Sequence, residues 1–167
     1  MSLSLAESLS ELNNPLDCIE EILASREWSF ERISEDELHV DVTGRWCDYR
    51  LHFLWRDELS VLHFTVLFDI KVPKPKRAPL YELMAKANEK LWFGHFAYIQ
   101  EQGIPCYRHA LPFRGMLKMS SEQIEDLIEI ALDECERFYP AFQMVILENK
   151  STKDAFEVAL FETLGEA

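Results

Sequence analysis

Five histidines and four cysteines are the side chains of this chain best suited to metal binding, proton transfer or nucleophilic attack. Two of the histidines fall within Trp46–Ile70, WCDYRLHFLWRDELSVLHFTVLFDI, a run in which apolar residues alternate with polar ones. A hairpin turning at Arg56–Leu59, with Phe53 paired to Leu62 and Leu51 to Phe64, sets His52 directly opposite His63. Glu37 then lies in the same row of the preceding strand. Two facing imidazoles and a carboxylate could hold a transition metal or respond to pH. That row hangs on one register, and exposed strand histidines are common, so no metal ligand is assigned from it. His39, His95 and His109 have no partner in the pattern.

Covalent chemistry finds less support. There is no GxSxG elbow, and no cysteine stands in a reactive signature. Cys47 and Cys106 fall in strands, Cys18 and Cys135 in helices beside apolar stripes, and all four read as reduced packing thiols. With five glycines the chain has no GxGxxG or phosphate loop. Carboxylate pairs such as Glu125 and Glu129 lie on the solvated side of a helix. No catalytic residue and no cofactor is expected.

What remains is binding surface. Trp46, Arg50, His52, His63 and Leu67 are expected on the sheet face away from the aromatic one. A Trp and a Leu beside an Arg make a protein-binding or dimer surface, unless the C-terminal helices cover them.

The elements that position these residues follow from periodicity. Asn14 caps a helix that Pro15 and Asp17 favour, with Leu16, Ile19 and Leu23 on one stripe. Two short strands follow, around Trp28 and Phe30 and then Leu38, Val40 and Val42. Gly44-Arg45 as a two-residue turn pairs Val42 with Cys47, Val40 with Tyr49 and Leu38 with Leu51. Every strand of this meander then buries the same face. In Trp46–Ile70 that face carries Cys47, Tyr49, Leu51, Phe53 and Trp55 on the first arm and Leu62, Phe64, Val66, Phe68 and Ile70 on the second.

Lys71, Lys74, Lys76 and Arg77, spaced by prolines, form a basic extended linker. A helix opens at Pro79, burying Leu80, Leu83, Met84, Ala87, Leu91 and Trp92, and Gly94 stops it. Strands at His95–Glu101 and Pro105–Phe113 flank a Gln102-Gly103 turn. Ser120 and Gln123 make a capping box for a third helix, which Pro140 breaks or restarts. Ser151 and Asp154 cap a last helix. The order is α-β-β-β-β-α-β-β-α-α. It predicts an α+β fold, an antiparallel sheet of five to six strands with helices on one face. Residues 14–164 are expected to form one domain behind a flexible tail, residues 1–13.

The chain has 167 residues, 48 % of them apolar, enough for a packed core, and its net charge of −13 argues against a nucleic-acid partner. No stretch of 18 apolar residues suggests a membrane span, and the N-terminus lacks the basic segment of a secretory signal. A cytoplasmic location is expected.

The blocks NPLDCIEEI, GRWCDYRLHFLW, LYELMAKANEKLWFGHF, IPCYRHAL and ECERFYPAFQMVI resemble the YbjN family of bacterial proteins, described as sensory transduction regulators, and more narrowly its alphaproteobacterial branch. The resemblance covers Asn14 to Ile146, and Asn88 takes the place of the family's Asn near a helix end. It implies a fold like that of type III secretion chaperones, which are small, acidic, usually dimeric and without enzymatic activity. The expected role is therefore a non-enzymatic protein-binding module, a regulator or chaperone-like holder of another polypeptide, acting as a homodimer. The competing role is a small-molecule or metal-responsive sensor, using the His52/His63 row or a pocket between sheet and helices.

Overall fold

The computed structural model of the chain describes residues 14–116 and 118–164; the tail expected at residues 1–13 lies outside them. Helix α1 (Pro15–Ser25) begins as its sequence dictates, with the Asn14 side chain accepting from the Leu16 N–H at 3.0 Å. Then come β1 (Phe30–Ser34), β2 (Glu37–Thr43), β3 (Asp48–Arg56), β4 (Val61–Phe68) and α2 (Arg77–Asn88). The hairpin β5 (His95–Ile99) and β6 (Ile104–Pro112) precedes α3 (Ser121–Leu147) and α4 (Thr152–Leu164). The six strands form one sheet in the order β1-β2-β3-β4-β6-β5, every neighbouring pair antiparallel. This is the predicted α+β architecture, in the predicted element order.

One face of the sheet is apolar and aromatic, and it decides where the helices go. Tyr49, Leu51, Phe53 and Trp55 of β3 and Leu62, Phe64, Val66 and Phe68 of β4 are buried together with Leu16, Ile19 and Leu23 of α1 and Phe138 and Phe142 of α3. Phe68 is the hub: its ring meets Tyr49, Phe96, Tyr139 and Phe142 at centroid distances of 5.4–6.0 Å. Ring pairs at such separations add to the area they bury.

The strand faces are as predicted, but both hairpin registers shift by two residues. Val42 pairs with Tyr49 and Leu38 with Phe53, because the β2–β3 loop spans Gly44 to Cys47, closed by the Gly44 N–H donating to the Cys47 carbonyl at 2.9 Å. Phe53 pairs with Phe64, and the turn is a 3-10 segment, Asp57–Leu59, ended by Ser60 in a left-handed conformation. A shift of two keeps every side chain on its face and moves every row.

Two helix expectations change. The helix expected to bury Trp92 stops at Asn88, leaving Trp92 94 % exposed, and it starts at Arg77 rather than Pro79. Pro140 does not end α3, which runs unbroken for 27 residues. An interior proline costs about 3 kcal/mol, but Phe138, Tyr139, Ala141, Phe142, Val145 and Ile146 around it are all buried, and that packing outweighs the loss. The capping box of Ser120 and Gln123 is formed as read.

Asn88 explains why α2 stops where it does. Its side chain accepts from the Phe96 N–H at 2.7 Å and donates to the Phe96 carbonyl at 3.1 Å. β5 is an edge strand, so this amide serves Phe96 as a neighbouring strand would, and blunts the edge. Replacing Asn88 by Ala removes both bonds and is expected to cost about 2 kcal/mol at roughly 1 kcal/mol each, read as a lower urea midpoint with unchanged slope.

Candidate functional site

The face of the sheet opposite the helices is the first candidate. Its rows read across the strands, and the central one runs Glu31, His39, His52, Thr65, Arg108, His95 from β1 to β5. His52 therefore faces His39, not His63. His63 stands between Leu54 and Ala110 in another row, exposed. The His52–His63 pairing expected from the sequence is overturned by the two-residue register shift, as is the isolation of His39.

His39 and His52 lie face to face, ring centroids 3.8 Å apart and planes within 1° of parallel. Nε2 of His39 is 2.5 Å from Oε1 of Glu37, two residues earlier on the same face of β2. Nε2 of His52 is enclosed and has no hydrogen-bond partner. Burial, and then the charge of His39, pushes the His52 imidazole down to about 4, so it is neutral at pH 7.

Of the five expected surface residues, Arg50, His52, His63 and Leu67 do stand on this open face of β3 and β4. Trp46 sits in the β2–β3 loop rather than on a strand, with the Arg45 guanidinium 4.8 Å from its ring centroid. Arg50 is exposed and paired to Asp41 across the strands, Nε to Oδ1 at 2.7 Å, which holds the Asp41 carboxyl below its usual range. Leu67 is half-buried between Arg50 and Cys106. Among the five, Arg50 pairs with Leu67, and His52 and His63 follow one and two pairs further along the same face, whereas Trp46 stands apart in the loop.

A second candidate is a pocket between sheet and helix, a kind of site the sequence allowed but whose residues it did not name. Between β6 and the first half of α3 lies a cleft of about 230 Å³, walled by Phe93, Leu111, Phe113, Met116, Met119 and Leu127, with His109, Gln123 and Asp126 as its polar groups. His109 is on the helix-covered face of β6, opposite Phe64, and burial followed by the charge of His95 lowers its pKa. Phe93 is 54 % exposed and its ring reaches that of His109 at 6.2 Å. The Tyr107 hydroxyl donates to the Phe93 carbonyl at 2.8 Å. Gly94 follows with φ +63°, and a Cβ there would meet the Arg108 carbonyl at 2.7 Å, so only glycine lets the loop turn this tightly. The signal in the sequence is the dipeptide Trp92-Phe93 ahead of Gly94, of which helical periodicity assigns Trp92 to a buried stripe.

The thiols stand as the sequence suggested, unbridged and buried or half-buried. All four cysteines are free, and burial raises the pKa of Cys47, Cys106 and Cys135, keeping them protonated. Among the described residues no helix is long and apolar enough to cross a membrane.

These features define an α+β protein that offers an open sheet face and an apolar cleft. The chain belongs to the YbjN family, whose model, "Putative bacterial sensory transduction regulator", matches residues 15–144. A solved structure with a similar fold is that titled "Crystal structure of YbjN, a putative transcription regulator from E. coli": TM-score 0.55, 18 % identity, covering 80 % of this chain and 89 % of that one. That likeness is one of fold. No curated protein matches.

The His52 environment predicts a pH response. With a folded pKa of about 4 against roughly 6.5 unfolded, the unfolded chain takes up its proton first as pH falls. Stability from neutral His52 is thus intact above pH ~6.5 and drains away down to about pH 4. His52→Gln should flatten the urea-midpoint profile in that window relative to wild type, and identical slopes would show that His52 is not held neutral.

Proposed function

We propose that the protein is a non-enzymatic binding module, a regulator that acts by holding a segment of another polypeptide at the cleft between β6 and α3. The observation that supports this is the exposed Trp92-Phe93 pair beside that cleft. Large aromatics on a solvent-facing loop, next to an apolar hollow with a polar rim, have the composition of an interface centre. The volume favours a peptide anchor: about 230 Å³ is below the roughly 300–1,000 Å³ of small-molecule sites and suits one or two apolar side chains. The net charge of −13 favours a basic partner segment around that anchor. In this reading the molecule is a cytoplasmic homodimer, for which light scattering should return twice the 19.6 kDa of one chain.

The test is a tagged full-length pull-down, with Trp92→Ala/Phe93→Ala run beside wild type. Trp92 is almost wholly exposed, so losing it should move stability by no more than about 0.5 kcal/mol, while capture of any stoichiometric partner should fall at least ten-fold. A peptide from that partner should then shift Trp92 fluorescence. A partner held equally well by the double variant places binding on another surface.

A second prediction concerns the loop. Tyr107→Phe leaves the Phe93 carbonyl without its donor and should cost about 1 kcal/mol, with faster amide exchange at Phe93 and Gly94 than in wild type.

A further inference from the structure

We propose that Glu37, His39 and His52 form a binding site for a divalent transition metal of the zinc and nickel class on the open face of the sheet. The three offer one donor atom each, all within 4.8 Å of one another. They come from two paired central strands: Glu37 and His39 are two apart on β2, and His52 is the direct partner of His39 on β3. Their backbones are held by the sheet ladder, so only side-chain torsions separate the present arrangement from a ligated one.

The chemistry of the donor set selects the ion. Two imidazole nitrogens and one carboxylate suit zinc, nickel or copper, whereas magnesium and calcium require oxygen. A tetrahedral ion with bonds near 2.0 Å needs its donors about 3.3 Å apart, a contraction of at most about 1.5 Å from separations that all lie within 4.8 Å. The parallel stack aims the two in-plane lone pairs side by side rather than at one point. Binding must therefore turn one ring, and His52 is the ring free to turn, since its Nε2 has no partner to give up. An enclosed ring nitrogen without a partner is itself a feature that calls for an occupant. Beside His39 the face is hollowed by about 250 Å³, bordered by Glu31, Asp41 and Arg50. This site is on the face away from the cleft and is independent of the polypeptide-binding proposal.

The competing account is a structural stack with an ordinary surface ion pair, and metal alone separates the two. Full-length protein freed of metal by chelation is titrated with zinc chloride and nickel chloride by calorimetry and by thermal melting. The site predicts one ion per chain and, at a hundred-fold excess over Kd, a Tm rise of about 5–10 °C, reversed by chelator. His39→Gln and His52→Gln should abolish the shift, Glu37→Gln should weaken binding at least ten-fold, and His63→Gln should leave it unchanged. Cobalt added to wild type should give the intense visible absorption of a four-coordinate ion. Weak octahedral absorption, no stoichiometric binding, or undiminished binding by His52→Gln in a protein with wild-type circular dichroism would each overturn the site.

Discussion

Everything in this molecule depends on covering the aromatic face of the β3–β4 hairpin. Phe53 and Phe64 stack at 4.6 Å, and Phe68 touches four further rings from β3, β5 and α3. Leaving such surface in water costs about 25 cal/mol per Å², and one layer of helices can remove it only by packing on that side. The sheet is consequently one-sided. Its other face is free to carry ionisable side chains, and that is where the Glu37–His39–His52 group stands.

The faces of the strands were legible in the sequence, but the rows were not. Alternation reports only which side a residue takes, and a slip of two leaves that unchanged. Phe53 faces the core whether it meets Leu62, as the two-stranded pattern suggested, or Phe64, as it does. His52 changes neighbour completely, from His63 to His39. What sets the row is the loop: a four-residue connection at Gly44–Cys47 and a 3-10 turn ending at left-handed Ser60. Neither Cys47 nor Ser60 advertises its role in isolation. The surface expected from sequence accordingly keeps Arg50, His52, His63 and Leu67 on one face but loses Trp46 to a loop, and His63 shares its row with Leu54 and Glu37 rather than with His52.

The ends of the helices divide in the same way. Local chemistry was readable: the Asn14 cap, and the Ser120 box with Gln123. Long-range effects were hidden. Asn88 ends α2 by bonding a strand residue eight positions on, and that exposes Trp92 against its periodicity. Pro140 stays within α3 because residues distant in sequence bury both its flanks. The cleft at β6 arises from elements far apart in the chain, so no single stretch could reveal it.

Pro140 has a mechanical corollary. A proline has no N–H to offer the carbonyl four residues back, so α3 lacks one rung between Glu136 and Pro140. Ahead of that gap the helix carries the cleft wall, Gln123, Asp126 and Leu127; behind it, Phe142, Val145 and Ile146 are anchored in the core. The missing rung leaves this junction with less backbone support than the turns on either side of it. Both segments are held by packing, through Ile124, Ile128, Ala131 and Cys135 ahead of the gap as well as the residues behind it, so burial on either side offsets the missing rung.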